Sequence, residues 1–271
     1  MKHRIILLTL LMMILPFAAE AQNVKPKGTA IVAHRGYWNC EEAGYAKNSI
    51  ASLKCAQQAG VWGSEFDVRI TSDNVVLVFH DSKIDGKRIE HHPYSEFKDH
   101  RLKNGELIPT LDQYLEQAKK SPKTVMVFEL KKLKSQEAED RMVEISLQKL
   151  KEHGLLSPEK VVFISFSKHI CKSIASQLPD FTVQYLNGDL KPKAVLEEGI
   201  NGIDYNHTIL KAKKRWVANA HKLGMSTNAW TANTENEIVP MLKLKINMIT
   251  TDEPILARQI MKEKGFTEII P

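Results

Sequence analysis

The chain has 271 residues, 43% of them hydrophobic and 26% charged, with a net charge of +6 at pH 7. That is enough apolar material for one large α/β domain or two small ones. The basic excess is scattered (Lys119, Lys120, Lys123, then Lys211, Lys213, Lys214, Arg215) without interleaved aromatics, which excludes a nucleic-acid module and leaves a modest field favouring an anionic substrate.

The first segment stands apart from the fold. Met1-Lys-His-Arg4 is basic, Ile5 to Ala19 is almost wholly apolar, and Ala19-Glu-Ala21 has the small-x-small pattern of a cleavage site. Residues 1–21 are therefore expected to be a signal peptide, the apolar run being short for a spanning helix. The mature chain, 22–271, is expected to be a single exported domain, periplasmic or secreted, with no stable membrane anchor and no nucleic-acid partner. Cys40, Cys55 and Cys171 are an odd set without metal-ligand spacing. A Cys40–Cys55 bridge is open to an oxidising compartment, but free thiols are the expectation.

Strand and helix then alternate. Ala30 to Ala33 reads as a buried strand, and Asn48 or Ser49 can cap a helix ending at Gly60. Strands follow at Trp62 to Ile70 and, after the Ser72-Asp73-Asn74 turn, at Val75 to Phe79. Residues 82–108 are polar and His-rich, an excursion over the top of the domain, before Pro109-Thr110 opens a helix through Lys119. Strands are then predicted at 124–130, 160–166, 181–186, 202–205, 225–230 and 246–250. Helices are predicted at 135–153, 169–177, 193–197, 211–222, 235–243 and 255–264. This alternation predicts one parallel α/β domain, a (β/α)8 TIM barrel ahead of a doubly wound sheet. Nine strand candidates compete for eight places. The link Thr71–Asn74 is too short for a parallel crossover, so one piece within 62–79 is not a barrel strand.

The polar residues that interrupt these strands sit at their C-terminal ends, where a TIM barrel builds its site. His34 and Arg35 end the first strand, and His80 follows the third. Glu65 and Asp67 are two apart on the second strand and share a face, with Phe66 and Val68 on the other. Glu129 and Lys131 repeat the spacing. Two carboxylates side by side on a buried face repel unless a cation lies between them. Ser165, Ser167, Asp204, Tyr205, Asn228, Trp230, Thr250, Thr251 and Asp252 continue the ring.

In this order, His34-Arg35-Gly36, Glu65-Phe-Asp67, Phe79-His80-Asp81, Glu129-Leu-Lys131, Ser165-Phe166, Asn228 to Asn233 and Ile249 to Pro254 resemble the marks of the glycerophosphodiester phosphodiesterases, TIM-barrel relatives of the phosphatidylinositol phospholipase C group. The resemblance implies metal-dependent hydrolysis of glycerophosphodiesters to glycerol 3-phosphate and an alcohol. By it, Glu65, Asp67 and Glu129 are metal ligands for Ca²⁺ or Mg²⁺, and His34 and His80 are the acid/base pair. Arg35 and Lys131 face the phosphate, and Trp230 lines the substrate cleft. Two departures stand out. Lys47-Asn48-Ser49 replaces the family's Glu-Asn-Thr, and no Thr-rich run follows His80-Asp81. Activity is expected to survive with altered substrate contacts. The competing readings are a lysophospholipase D or phospholipase C-like enzyme on the same fold, and an inactive secreted binding protein.

Overall fold

The computed structural model describes residues 28–271; the expected signal peptide lies outside them. Eight parallel strands close on themselves in the order β1 (Thr29–Ala33), β2 (Gly63–Ile70), β6 (Val125–Leu130), β7 (Val161–Ser165), β8 (Thr182–Tyr185), β9 (Gly202–Asn206), β10 (Ser226–Trp230) and β11 (Met248–Thr251). Pairing of β1 with both β2 and β11 completes the TIM barrel. The ninth candidate is β3 (Val76–Val78). It runs antiparallel on β2, with Val68 opposite Val78, and stands outside the barrel as the short connection requires.

Sequence period and burial agree closely on β2. Glu65 and Asp67 turn inward. Phe66 faces out, within 4.6 Å of the Phe128 ring and 4.5 Å of Tyr114, and Phe128, Phe163 and Phe181 extend this aromatic row. The N-terminal half of the barrel lumen is filled by Val32, Val125, Val127, Val162, Ile164 and Met248. A larger apolar layer lies between the strands and the surrounding helices. Apolar packing thus closes most of the lower half, interrupted by the Gln184–Ser226 hydrogen bond beside Gly202, and the charged cluster occupies the C-terminal mouth.

Helix boundaries follow their caps. Ser49 and Ser52 form a reciprocal capping box at α1 (Ile50–Ala59), closed by Gly60 at φ +60°. Thr110 and Gln113 do the same for α2 (Leu111–Ala118). Next come α3 (Gln136–Glu152), α4 (Lys168–Gln177) and α5 (Pro192–Glu197). The helix expected over 211–222 is two helices, α6 (His207–Ala212) and α7 (Arg215–Lys222), because Lys213 leaves the helical region at φ −107°, ψ 47°. After α8 (Glu235–Lys243) and α9 (Pro254–Glu263), the two-residue β12 (Glu268–Ile269) pairs with β1 at Thr29 and Ala30.

Residues 82–108 hold more structure than their polar composition predicts. A small hairpin, β4 (Lys83–Ile84) with β5 (Lys87–Arg88), is followed by two 3₁₀ turns. Leu77, Ile84, Ile89, Phe97 and Ile108 form a separate apolar cluster beneath them. Glu106 reaches back to cap α1, accepting from Ile50 N at 2.9 Å and Ala51 N at 3.2 Å. Cys40, Cys55 and Cys171 are free thiols. No helix among the described residues is long and apolar enough to cross a membrane.

The sharpest local requirement lies just past β1. Arg35 (φ +55°) and Gly36 (φ +75°) both adopt left-handed backbone, turning the chain across the barrel mouth. A Cβ on Gly36 would lie 2.6 Å from the Ser52 carbonyl carbon of α1. Gly36→Ala is expected to cost roughly 3 kcal/mol of stability, from backbone strain and the forced shift of α1 together. A urea denaturation midpoint equal to the wild type's would contradict this account.

Candidate active site

The mouth of the barrel gathers all eight side chains singled out in the sequence. Glu65, Asp67 and Glu129 each place a carboxylate oxygen within 4.8 Å of the others, and all three are buried. Strand register brings them together, since Asp67 of β2 lies opposite Glu129 of β6. Lys131 Nζ sits 2.7 Å from Glu129 Oε1 and 3.2 Å from Asp67 Oδ1. Arg35 approaches from the other side, its Nε 3.5 Å from Asp67 Oδ2, while its backbone N–H donates to Glu65 Oε2 at 2.7 Å.

These contacts leave the cluster short of partners. Glu65 Oε1 is buried with no hydrogen bond, and Glu129 Oε1 has the Lys131 ammonium as its one close partner. Burial, reinforced by the charges of Asp67 and Glu129, holds the Glu65 carboxyl well above its ordinary range. Burial and the Asp67 charge push Glu129 up to about 7. Burial would raise Asp67 as well, but Lys131, His80, Arg35 and the Asn48 amide together hold it below the usual range. Oxygen-only donors, two of them destabilised as anions and one with an orphaned lone pair, fit a hard divalent cation.

Both histidines flank this cluster, each fixed by a neighbour. His34 Nδ1 lies 2.8 Å from Asp252 Oδ1, and its Nε2 faces Glu65 Oε2 at 3.9 Å. Asp252 is itself tightly held, by Trp38 Nε1 at 2.8 Å and Asn233 Nδ2 at 2.7 Å. Against the effect of burial, the bond and charge of His34 and these two donors bring its carboxyl down to about 2. An ionised Asp252 accepts the Nδ1 proton, so Nε2 is left free toward the carboxylates. His80 Nδ1 lies 2.8 Å from Asp81 Oδ1, and burial lowers the proton affinity of the His80 ring.

Several groups position the site in ways the sequence reading did not assign. Asn48, left-handed at φ +58°, donates to Asp67 Oδ2 at 2.8 Å and accepts from Asp67 N at 3.1 Å, locking that residue's backbone and carboxylate at once. Arg69, the next inward residue after Asp67, donates to the His80 carbonyl at 2.8 Å. Its place in the 65, 67, 69 alternation was the available signal. Asn233 closes the Asn228 to Asn233 motif, whose bond to Asp252 the sequence did not specify, and Trp38 had no signal, since its partner Asp252 lies 214 residues away. Trp230 packs edge to face on Phe166 at 5.6 Å, its indole N–H bonded to the Asp204 carbonyl, and Lys131 stands 5.7 Å from the Phe166 ring. Asp204 itself is buried with an unpartnered Oδ1. Burial, and then the Glu129 charge, raise its carboxyl well above the ordinary range.

The family model for the glycerophosphoryl diester phosphodiesterase family matches residues 34–256, from His34 to beyond Asp252. The chain belongs to that family. This phosphodiesterase is 39% identical to a crystallised glycerophosphodiester phosphodiesterase of Parabacteroides distasonis, with a TM-score of 0.84 over 88% of this chain and 99% of the other. It is 26% identical to a glycerophosphodiester phosphodiesterase of Bacillus altitudinis, over 87% of this chain and 99% of the relative. A phosphodiesterase of Oleispira antarctica, solved with its product sn-glycerol-3-phosphate, shares the fold at 21% identity and a TM-score of 0.73, over 87% and 97% of the two chains. Family membership makes the chain a glycerophosphodiester phosphodiesterase acting on a small-molecule substrate.

Proposed function

We propose that this enzyme hydrolyses glycerophosphodiesters to glycerol 3-phosphate and an alcohol at one divalent cation, Ca²⁺ or Mg²⁺, held by Glu65, Asp67 and Glu129. The observation that carries the reading is the buried carboxylate triad set between Arg35 and Lys131 and flanked by two histidines. The product seen in the Oleispira enzyme is in keeping with it. When bound, the cation supplies Lewis-acid stabilisation of the phosphoryl oxygens. Arg35 and Lys131 add fixed positive charge at the same oxygens, in a site partly withdrawn from water. One imidazole takes the proton of the attacking oxygen, that of water or of the substrate's own glycerol hydroxyl, as it bonds to phosphorus. The other protonates the alcohol oxygen as its bond to phosphorus breaks. Where the glycerol hydroxyl attacks, water then opens the cyclic phosphate with the two imidazoles exchanging roles. Trp230 and Phe166 supply an aromatic wall for the substrate. The basic, apolar start of the sequence supports export of the chain before it acts.

A lysophospholipase D or phospholipase C-like substrate would need an apolar wall for its acyl chains. The cleft beside His80 sets Lys47 and Lys103 among the aromatic rings of Trp38, Tyr45 and Phe79, and the two exposed ammonium groups favour a charged, water-soluble diester over a long acyl chain. An inactive binding protein would be expected to lack a histidine or a carboxylate of the set, and His34, His80, Glu65, Asp67 and Glu129 are all present.

The test is release of glycerol phosphate from glycerophosphocholine by the purified chain, with and without chelator. Activity is expected to vanish with chelator and return with Ca²⁺ or Mg²⁺; release indifferent to chelator would overturn the metal assignment. Cation affinity should also rise with pH through about 7, because Glu129 must shed its proton to bind. Titration calorimetry should show proton release at pH 6, and affinity should fall by about tenfold per unit below 7 for each proton displaced.

A further inference from the structure

A cleft beside Arg35 and His80, reaching residues of the 82–108 segment, has a volume of about 370 Å³ and is lined by Arg35, His80, Lys47 and Lys103 together with the rings of Trp38 and Tyr45. Three of those side chains are cations. Its one lining carboxylate, Asp81, is largely exposed and turned onto His80 at 2.8 Å. Arg35 already answers Asp67. Lys47 and Lys103 answer nothing: neither forms an ion pair among the described residues. Their ammonium groups rest on aromatic rings of the same cleft, Lys47 4.3 Å from the Trp38 ring centre and Lys103 5.2 Å from that of Tyr45. Such cation–π contacts at an exposed site are weak and readily exchanged for an anion.

The backbone beneath both lysines is fixed. Lys103 sits in a tight turn closed by Gly105 N to Leu102 O at 2.9 Å and Leu102 N to Glu106 O at 2.7 Å. That turn is tied to the Lys47 loop by Asn104 Nδ2 to Ala43 O at 3.2 Å, and its Glu106 caps α1. Gly44 allows the contact, since a Cβ there would lie 2.6 Å from the Asn104 Cβ. On the other side, Lys47 precedes Asn48, which is bonded twice to the ligand Asp67. The two charges are thus carried by segments joined to each other and to the triad.

A diester gripped between Arg35 and Lys131 has two arms to place. The Lys131 side offers the uncharged wall of Phe166 and Trp230, suited to a neutral polyol such as glycerol. The Arg35 side opens into the cationic cleft. We propose that this cleft is a subsite for a second negative charge on the substrate, a carboxylate or phosphate on the alcohol arm, recognised by Lys47 and Lys103. The inference rests on the reaction proposed above and adds to it the class of alcohol.

The test compares kcat/KM of the metal-loaded full chain on glycerophosphocholine, glycerophosphoserine and glycerophosphoglycerol bearing a terminal phosphate. At low salt the phosphate-bearing ester should exceed the choline ester by about tenfold, the difference lying in KM, and the margin should shrink several-fold at 0.5 M salt. A gain for both anionic esters assigns the subsite to negative charge in general, and a gain for the phosphate ester alone assigns it to phosphate. In the Lys47→Glu/Lys103→Glu variant the ratio should fall below one, with Lys47→Gln and Lys103→Gln intermediate. Equal turnover of all three esters by the wild type, or a ratio unmoved by charge reversal, overturns the subsite and leaves the reaction standing. No turnover of any ester overturns the reaction itself, and the subsite with it.

Discussion

Glu65→Gln is expected to abolish turnover and, at the same time, to make the metal-free enzyme more stable. Glu65 is 2% exposed, keeps one oxygen on the Arg35 N–H at 2.7 Å and leaves the other without a partner. Burial and two neighbouring carboxylates raise its proton affinity well above the ordinary range. The sign follows from which state holds the proton. The folded chain retains a proton that the unfolded chain releases, so any stability from this group is present below the ordinary carboxylate range. It is lost as pH rises toward the folded value. Above the ordinary carboxylate range and without metal the buried acid is therefore a cost, and glutamine removes it while its carbonyl can still accept from Arg35 N. A gain of about 1–2 kcal/mol is expected in urea denaturation at pH 8, shrinking toward pH 5. Added cation should reverse the order. The wild type gains about 2.7 kcal/mol at a hundredfold excess over Kd, and the variant, short of a ligand, gains far less. A metal-free variant weaker than the wild type at pH 8, or one that gains as much from cation, would contradict the role given to Glu65.

This same conflict between folding and function explains what could be read from the sequence. Two carboxylates two apart in a strand are a local signal, since the period of two alone puts both on one face and Phe66 on the other. That one piece within 62–79 stands outside the barrel was also a local inference, resting on the length of one turn, and the antiparallel pairing on β2 identifies it as β3. Contacts that join distant segments left no such trace. His34 and Asp252 are 218 residues apart, and the Glu106 cap on α1 spans 56. The break between α6 and α7 was hidden for a different reason. Leu210, Val217 and Ala220 are buried at spacings of seven and three, which one continuous helix would also satisfy. The chain breaks where Lys211, Lys213, Lys214 and Arg215 crowd like charge within one turn, an unfavourable helical pattern. In 82–108 the apolar residues are too sparse to show a period, yet they meet in space as a cluster of their own.

Replacing either histidine is expected to be nearly as damaging as losing a ligand, and Asp252 provides the finer test. His34→Ala and His80→Ala should each lower kcat by about 10²–10⁴-fold with cation binding retained. The double variant should be only slightly worse than either single, because the two proton transfers serve one displacement. Asp252→Asn leaves the size of the side chain unchanged but cannot satisfy its surroundings. With the new amide's oxygen kept toward His34 and Trp38, its NH₂ meets the Asn233 NH₂, which in the wild type lies 2.7 Å from Asp252 Oδ2. Asn233 is unable to turn over in response, because its own oxygen accepts from Asp252 N at 2.8 Å and Thr251 Oγ1 at 3.1 Å. Flipping the introduced amide relieves that clash but presents NH₂ to His34 Nδ1, which moves the imidazole proton to Nε2, the nitrogen facing the carboxylate cluster. Either arrangement removes the anion that steadies a protonated His34. The expected result is a fall in kcat of about 10²-fold or more, with a displaced limb in the pH–rate profile and unchanged cation affinity by calorimetry. A variant whose kcat stays within about twofold of the wild type would remove His34 from the proton transfers and leave His80 to act without it.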